Sequence, residues 1–422
     1  MPGGQQIQQV ILGQWLRLAA AHECLVPPEE LPQLLDAGRR STAIRPALAV
    51  LAGRRGRWLA AVHPDWRYLL GEAGATGAAT SDDIWSTGTP GERLAHLRRV
   101  RHDDPAAGLR LLRESFPAEA PADRAAFLGA LAIGLSSADE DLLESALDDK
   151  RKEVRQVAAD LLPGLPGSAL RSRMAQRALA CVRLERRALG RDRLSVEPPA
   201  SADPAMLRDG VDPKPPRGTG AGAWLLEQIV AATPLATWTG AFDRKPAAVV
   251  ALPVPDGGQY AWHRGLARAA VAARDPAWAV ALADPKLHRT GPDTGDEQLT
   301  WQVYEVLPPD ELSRQAGAAL RRDPTRAHRL LEMFPAEWPD VLGDAVIDAI
   351  RALVRAESSR DWQLTELCRI AATALPPRHA DQIAGLAGEL TGDDPTTTRR
   401  ALALSRLAAG LSFRHEMHRE FG

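Results

Sequence analysis

Hydrophobic and polar positions recur along most of the chain with the helical period of about 3.6 residues. The clearest stretch is 137–162, where apolar residues over 142–147 form one helical stripe and apolar residues over 154–162 form a second. A polar, acidic turn at 148–151 separates the two stripes, and Pro163-Gly164 follows the second. Two helices this short are not stable alone, so the pattern predicts a helix pair that stacks on neighbouring helices.

Helix starts are marked at several places. Ser137 and Glu140 have the S-x-x-E spacing of a capping box, and Thr89-Pro90-Gly91-Glu92 offers an N-cap, a first-position proline and a capping glutamate. Asp-Pro steps before other helical patterns predict N-caps at Asp104, Asp275 and Asp323. These signals favour many helices joined by short corners.

Two longer-range patterns suggest how the helices are grouped. The sequence at 103–121 resembles that at 322–339, with Asp-Pro, Leu-Leu and Phe-Pro-Ala-Glu in the same order, which indicates either related helical units or coincidence. Segment 195–222 is rich in proline and glycine and predicts a linker or long loop between an N-terminal helical domain, 1–194, and a C-terminal one, 223–422. Residues 247–255 are predicted as a short extended segment.

Composition agrees with an all-α protein. The 422 residues are 45% hydrophobic and 5% aromatic, and alanine, leucine, arginine and glutamate, which favour helices, predominate. Three widely spaced cysteines without a C-x-x-C pair indicate reduced thiols, and neither a signal peptide nor a membrane-spanning stretch is apparent. We therefore expect a soluble cytoplasmic protein, and the net charge of −2 argues against a general nucleic-acid or membrane coat.

Several chemistries are excluded by their motifs. No lysine follows a glycine, so there is no P-loop, and neither a G-x-S-x-G elbow nor an H-E-x-x-H zinc helix occurs. We predict no catalytic residue, no metal ligand and no cofactor. The eleven tryptophans are spread along the chain, as in packing between helices, although Arg54-Arg55-Gly56-Arg57-Trp58 places three guanidinium groups beside an indole.

The strongest local charge lies at 171–193, where eight arginines stand against two carboxylates. On a helix, several of these arginines share a face and form a basic ridge for an anion, a nucleic acid or an acidic partner. A solvated helix paired with neighbouring acids is the alternative. The predicted surface, which includes one arginine of the preceding helix pair, consists of Arg155, Arg171, Arg173, Arg177, Arg183 and Arg187.

Two resemblances extend this interpretation. Asp148, Val154-Arg155 and Ala158 resemble a HEAT-type repeat unit near 137–174, which implies a HEAT-like helical-repeat solenoid in two halves. The segments 51–60, 144–174 and 262–282 resemble an uncharacterised bacterial domain-of-unknown-function family, family 5691. That resemblance implies partners among SWIM zinc-finger proteins, MoxR-type AAA+ ATPases and von Willebrand A proteins.

The sequence favours a non-catalytic helical-repeat scaffold that binds protein partners in an ATPase-associated bacterial system. A nucleic-acid-binding HEAT-like protein that uses Arg171–Arg193 is one alternative, and an enzyme of unrecognised type is another.

Overall fold

In the computed structural model the chain is all-α, as predicted. The structure describes residues 2–70, 81–255, 257–283, 297–334, 337–356, 361–392 and 394–421, with the side chains of all but 2–10, 81–83, 324 and 421. Within these ranges a single two-stranded antiparallel sheet interrupts the helices.

The helices are mostly short and follow one another through brief corners. The first part of the chain forms α1 Pro2–Ala21, α2 Leu31–Arg40, α3 Arg45–Leu51, α4 Gly53–Val62, α5 Ser81–Thr87, α6 Pro90–Asp103, α7 Pro105–Ser115, α8 Pro121–Gly129, α9 Glu140–Ala146, α10 Lys152–Leu161 and α11 Ala169–Cys181. The sheet follows as β1 Val182–Glu185 and β2 Arg193–Val196. The remainder forms α12 Pro204–Arg208, α13 Ala221–Ala232, α14 Leu235–Phe242, α15 Pro246–Val250, α16 Gln259–Ala273, α17 Pro276–Leu282, α18 Glu297–Glu305, α19 Pro309–Arg322, α20 Pro324–Glu332, α21 Asp340–Val354, α22 Asp361–Ala374, α23 Ala380–Gly388 and α24 Pro395–Phe421.

The predicted helix starts are confirmed where the sequence contains a Thr-Pro or Asp-Pro N-cap. Thr89 and Glu92 form the predicted capping box, in which the Glu92 carboxylate accepts from the Thr89 amide at 2.9 Å. The three Asp-Pro steps begin α7, α17 and α20, and each aspartate accepts a hydrogen bond from a backbone amide of the first turn. The capping box predicted at Ser137 and Glu140 is one residue off, because Ser136 and Asp139 form it instead.

The two similar sequences, 103–121 and 322–339, form the same helix–aspartate–helix corner. Asp104 between α6 and α7 has φ −143° and ψ 93°, and Asp323 between α19 and α20 has φ −145° and ψ 87°. Both aspartates cap the amide three residues ahead, at 3.0 and 3.1 Å. Of the shared Phe-Pro-Ala-Glu motif in the second copy, Pro335 and Ala336 lie outside the described residues.

The chain divides into two compact units that differ from the predicted halves. Unit 1 comprises residues 1–78 and 309–422, and unit 2 comprises residues 79–308. The predicted linker, 195–222, therefore lies inside unit 2, where Met206 and Val211 are buried. Residues 246–250 form the helix α15, so the extended segment predicted at 247–255 is wrong at its start, where Pro246 occupies a first-turn position that suits a helix.

Each unit has its own apolar core. In unit 1, the N-terminal cluster includes Leu16, Leu31, Leu35 and Leu48, all almost fully buried. In unit 2, α13 and α16 approach closely because Gly265 has no side chain: a Cβ there would stand 2.6 Å from Cβ of Val230.

Buried arginines close several helix ends by donating to carbonyls. Arg101 is buried in unit 2 and donates to four backbone oxygens and to Asp139. In unit 1, Arg400 donates to the Val354 carbonyl at 2.7 Å, and Arg414 donates to the Leu375 carbonyl at 2.7 Å. These bonds satisfy carbonyls that a helix end leaves without an internal partner.

Candidate functional site

The basic segment 171–193 is only partly helical. Helix α11 ends at Cys181, and the chain continues directly into β1, so the prediction that Arg183 and Arg187 lie on a helix is wrong. Val182 and Leu194 are buried, one on each strand, and the residue after each of them is more exposed, as the two-residue period of a strand requires. Gly190, at φ +100°, allows the connection between β1 and β2 to turn.

Arg173 and Arg177 of α11 are brought together on one carboxylate, Asp209. Arg173 Nη2 lies 2.7 Å from Asp209 Oδ1, and Arg177 Nη1 lies 2.6 Å from Asp209 Oδ2. The Asp209 side chain is only 1% exposed. Burial opposes its ionisation, but the hydrogen bonds from the two arginines outweigh that effect and lower the pKa of Asp209 below its ordinary value.

Further groups complete an ion cluster around these residues. Arg173 also pairs with Glu144 at 3.0 Å, and Arg208 pairs with Asp148 at 2.7 Å and approaches Glu144 at 3.4 Å. The Arg208 hydrogen bond lowers the pKa of Asp148. Three arginines thus stand against three carboxylates, so this cluster is neutral, and we assign it a structural role.

Replacing Asp209 by asparagine is expected to lower the free energy of unfolding by about 1–3 kcal/mol at neutral pH, because two charge-assisted hydrogen-bond sets to a buried carboxylate are lost. The native carboxylate binds fewer protons than the unfolded one, whose pKa is near 3.8. The Asp209 carboxylate therefore stabilises the folded state fully above that pH. This stabilisation is lost as the pH falls through the pKa of Asp209 in the folded state, which is lower. Urea denaturation across this range checks both effects.

The control is Asp148→Asn in the same cluster. The Asp148 side chain is 62% exposed, so this variant should cost less than about 1 kcal/mol. The difference in the free energy of unfolding between wild type and Asp209→Asn should become smaller in acid. If it does not, the Asp209 carboxylate is not the group that stabilises the cluster.

The hairpin that follows α11 carries the unpaired charge. Its two acids are already occupied, since Glu185 pairs with Arg193 and Asp192 pairs with Arg244. Leu189, between the strands, is 90% exposed. Four arginines are exposed and form no side-chain ion pair within the described residues: Arg183, Arg186, Arg187 and Arg191. We call residues 182–196 the basic hairpin.

The base of the basic hairpin is held firmly. The four residues of each strand pair in register from Val182 with Val196 to Glu185 with Arg193. The Leu194 amide donates to the Pro253 carbonyl at 3.0 Å, and the Glu197 amide donates to the Cys181 carbonyl at 2.8 Å. A cationic tip with one apolar side chain is therefore presented on a fixed support.

The two remaining predicted arginines lie apart from the basic hairpin. Arg155 of α10 donates to the Asp149 carbonyl at 2.7 Å and so closes the α9–α10 turn. Arg171, in the first turn of α11, is half-buried, and burial lowers its pKa. The predicted surface thus separates into Arg173 and Arg177 in the ion cluster, Arg183 and Arg187 on the hairpin, and two individual side chains.

Unit 1 has an exposed surface of similar composition. On α4, Trp58 is 64% exposed and Val62 is 66% exposed, four residues apart on one helix face. The neighbouring Arg54, Arg55 and Arg57 are exposed too. This stripe, the α4 face, corresponds to the exception noted among the tryptophans.

Comparison with known proteins identifies a family. The sequence model of a family of unknown function, DUF5691, matches residues 5–421. The chain belongs to DUF5691. No curated protein and no solved structure matches the DUF5691 protein.

Two further findings concern the chemistry of the DUF5691 protein. Among the described residues, no group of three or more histidine, cysteine, aspartate or glutamate side chains is arranged to hold a metal ion. In the same ranges, no helix combines the length and apolarity that crossing a bilayer requires.

Proposed function

We propose that the DUF5691 protein is a non-catalytic helical scaffold that binds an acidic segment of a partner protein through the basic hairpin. The observation that carries this proposal is the set of four exposed arginines, without an ion-pair partner among the described residues, on the same hairpin as the exposed Leu189. Arginine forms bidentate hydrogen bonds with carboxylates, and an apolar side chain among arginines is typical of residues that anchor a protein interface. A partner helix or loop with several carboxylates and an apolar recess fits this tip.

The proposed scaffold is a HEAT-like array of helix pairs in two halves. Its support is local: α9 and α10 pair across a turn that Arg155 closes, and the corners at Asp104 and Asp323 have the same geometry in two different units. Repeated helix pairs present surfaces without needing an enclosed cleft. The α4 face gives unit 1 an exposed surface of its own, and a scaffold that joins partners needs more than one.

A non-catalytic role is supported by how the buried charges are used. Asp139 pairs with Arg101, Asp209 pairs with Arg173 and Arg177, and Glu227 pairs with Arg264 at 2.9 Å. Active sites keep titratable groups facing a substrate, whereas these carboxylates face structural arginines.

The partner class proposed is the one that the family resemblance implies, an assembly with an AAA+ ATPase or a von Willebrand A protein. Cys24, Cys181 and Cys368 are free thiols, and this supports a reducing compartment such as the cytoplasm.

Nucleic-acid binding is the alternative that the hairpin arginines also favour, because guanidinium groups recognise phosphate. The ion cluster weakens this alternative, since Arg173 and Arg177 of the predicted basic ridge are already neutralised by Asp209.

The test replaces the four hairpin arginines, 183, 186, 187 and 191, by alanine in the full chain. Tagged wild-type and variant proteins are purified from the native host, and the bound proteins are quantified by mass spectrometry. We expect an acidic partner to be retained by the wild type and reduced roughly tenfold or more by the variant, because several charge-assisted bonds are lost together.

The matched control replaces four exposed arginines elsewhere in unit 2, namely Arg98, Arg110, Arg151 and Arg217, by alanine. It removes the same charge and should retain the partner. If both variants lose the partner equally, the loss follows from the change in net charge alone, and the proposal is contradicted. A gel shift with duplex DNA at low and moderate salt, abolished only by the hairpin variant, would favour the nucleic-acid alternative.

A further inference from the structure

Unit 1 contains a cleft of about 430 Å³ between four helices. Helices α19 and α21 form two of its walls, and α20 and α22 contribute His328, Gln363 and Leu367. This volume lies within the usual range for sites that hold small organic ligands.

The cleft exists because small residues face each other across it. Gly317 of α19 and Ala345 and Ala349 of α21 line the space. A Cβ atom added at Gly317 would have only Cβ of Ala345 within 4 Å, at 3.7 Å. The space between Gly317 and Ala345 is therefore not occupied by another side chain. Leu320, Leu353 and Leu367 give it an apolar lining.

Two arginines stand at the cleft without compensation. Arg321 and Arg322, at the C-terminal end of α19, are exposed, and neither forms an ion pair with another described residue. The acids nearby already have partners. Asp348 pairs with Arg351 at 3.0 Å, while Glu332 and Glu366 both pair with Arg369, at 2.8 and 2.6 Å.

Asp348, which pairs with Arg351, also lines the cleft, and the other polar groups of the lining are His328 and Gln363. His328 packs edge-to-face with Trp362, at 6.2 Å between ring centroids, and burial lowers its pKa. Gln363 adds an amide. An apolar cavity with a few polar groups and a cationic rim suits a ligand that is apolar at one end and anionic at the other.

We propose that the cleft between α19, α20, α21 and α22 binds a small amphipathic anion, with its alkyl or aryl body beside Gly317, Ala349 and Leu367 and its carboxylate or phosphate at Arg321 and Arg322. This site is independent of the basic hairpin, which belongs to unit 2.

Isothermal titration of the full chain with octanoate, octyl phosphate, octanol and octylammonium tests the proposal. The two anions should bind saturably, octanol should bind about tenfold more weakly, and octylammonium should bind least. Preference for octyl phosphate over octanoate identifies phosphate as the head group, and the reverse identifies carboxylate.

Two sets of variants locate the binding. Arg321→Gln with Arg322→Gln should weaken octanoate to the level of octanol, whereas Arg355→Gln with Arg406→Gln, which removes two exposed arginines of unit 1 outside the cleft, should not. Gly317→Leu should weaken binding of every probe by occupying the part of the cavity beside Ala345, and Gly317→Ala, which adds one methyl group to the same helix, should preserve it.

The proposal is overturned if no anion binds saturably at millimolar concentration, or if octanol binds as tightly as octanoate. It is also overturned if the paired arginine substitution, whose exposed positions leave folding intact, leaves the affinity for octanoate unchanged. Circular dichroism checks that Gly317→Leu is folded, and an octanoate affinity equal to that of the wild type in the folded variant would again contradict the assigned location.

Discussion

Arg101→Met is expected to destabilise unit 2 by about 3–5 kcal/mol, because it leaves a buried carboxylate without its counter-charge. The Arg101 side chain is 1% exposed and Asp139 is fully buried, and the guanidinium donates to both carboxylate oxygens at 2.9 and 3.1 Å. It also donates to the carbonyls of Pro105, Leu131, Ile133 and Gly134. Each of these acceptors loses a partner in the variant. Urea denaturation followed by circular dichroism measures the loss.

The surroundings of Arg101 explain why other side chains cannot replace it. A Cβ on Gly108 would stand 2.6 Å from Arg101 Cδ, so this glycine provides the room that the guanidinium chain occupies. A lysine has one ammonium point charge and cannot reach acceptors on several sides at once, so Arg101→Lys should lose most of the stability as well.

Two further variants separate the ion pair from simple packing. Arg110→Met, at an exposed arginine of α7, should change stability by less than about 0.5 kcal/mol. The double variant Arg101→Met with Asp139→Asn should be more stable than the sum of its single changes predicts, since no uncompensated charge remains. Strict additivity would mean that Arg101 and Asp139 are not coupled.

Trp262→Ala should cost unit 2 about 3–5 kcal/mol, the usual result of removing a large aromatic side chain from a core. Trp262 of α16 and Trp238 of α14 are both fully buried, and their rings meet edge-to-face with centroids 4.7 Å apart. Neither indole N–H has a hydrogen-bond acceptor among the residues that the structure describes. Trp262→Phe should therefore cost only about 1–2 kcal/mol, because it leaves a small cavity and breaks no hydrogen bond. Thermal unfolding measures all three proteins.

The control for this prediction is Trp58→Ala, since Trp58 is 64% exposed on the α4 face. Its loss should change stability by less than about 0.5 kcal/mol. A cost for Trp262→Phe as large as that for Trp262→Ala would show that the indole nitrogen is needed, contrary to the structure.

The helix starts were predictable because their chemistry is local. A threonine or aspartate before a proline accepts hydrogen bonds from backbone amides of the same turn. The helix starts at Thr89, Asp104, Asp275 and Asp323 can therefore be recognised from the local sequence alone. The all-α class follows from the same short-range signals. The family resemblance was confirmed over nearly the whole chain.

The contacts that decide the candidate site are long-range, and for that reason the sequence did not reveal them. Asp209 meets Arg173 and Arg177 from a segment that its prolines and glycines marked as a linker. The strands at 182–185 and 193–196 have only four residues each, and both contain an arginine. The alternation of apolar and polar residues that marks a strand was therefore not recognisable in the sequence. The cleft depends on Gly317 facing Ala345 across two helices, and no pattern within one helix reports that pairing.

The high arginine content has a structural explanation besides anion binding. Several of the 47 arginines, among them Arg101, Arg400 and Arg414, donate to backbone carbonyls inside the protein. A helix end needs several donors in one place, and a guanidinium group supplies five. Arginine content alone is therefore a poor guide to an anion-binding surface in this protein.

Unit 1 is assembled from both ends of the chain, and this affects the order in which the protein can mature during translation. Gln14 of α1 donates to the Thr373 carbonyl at 2.8 Å, and Trp15 donates to Glu420 at 3.2 Å. A ribosome releases α1 first, and at about 5–20 residues per second it needs on the order of tens of seconds to release α22 and α24. During that interval one side of α1 lacks the helices it packs against, while unit 2, which is continuous in sequence, can already be complete.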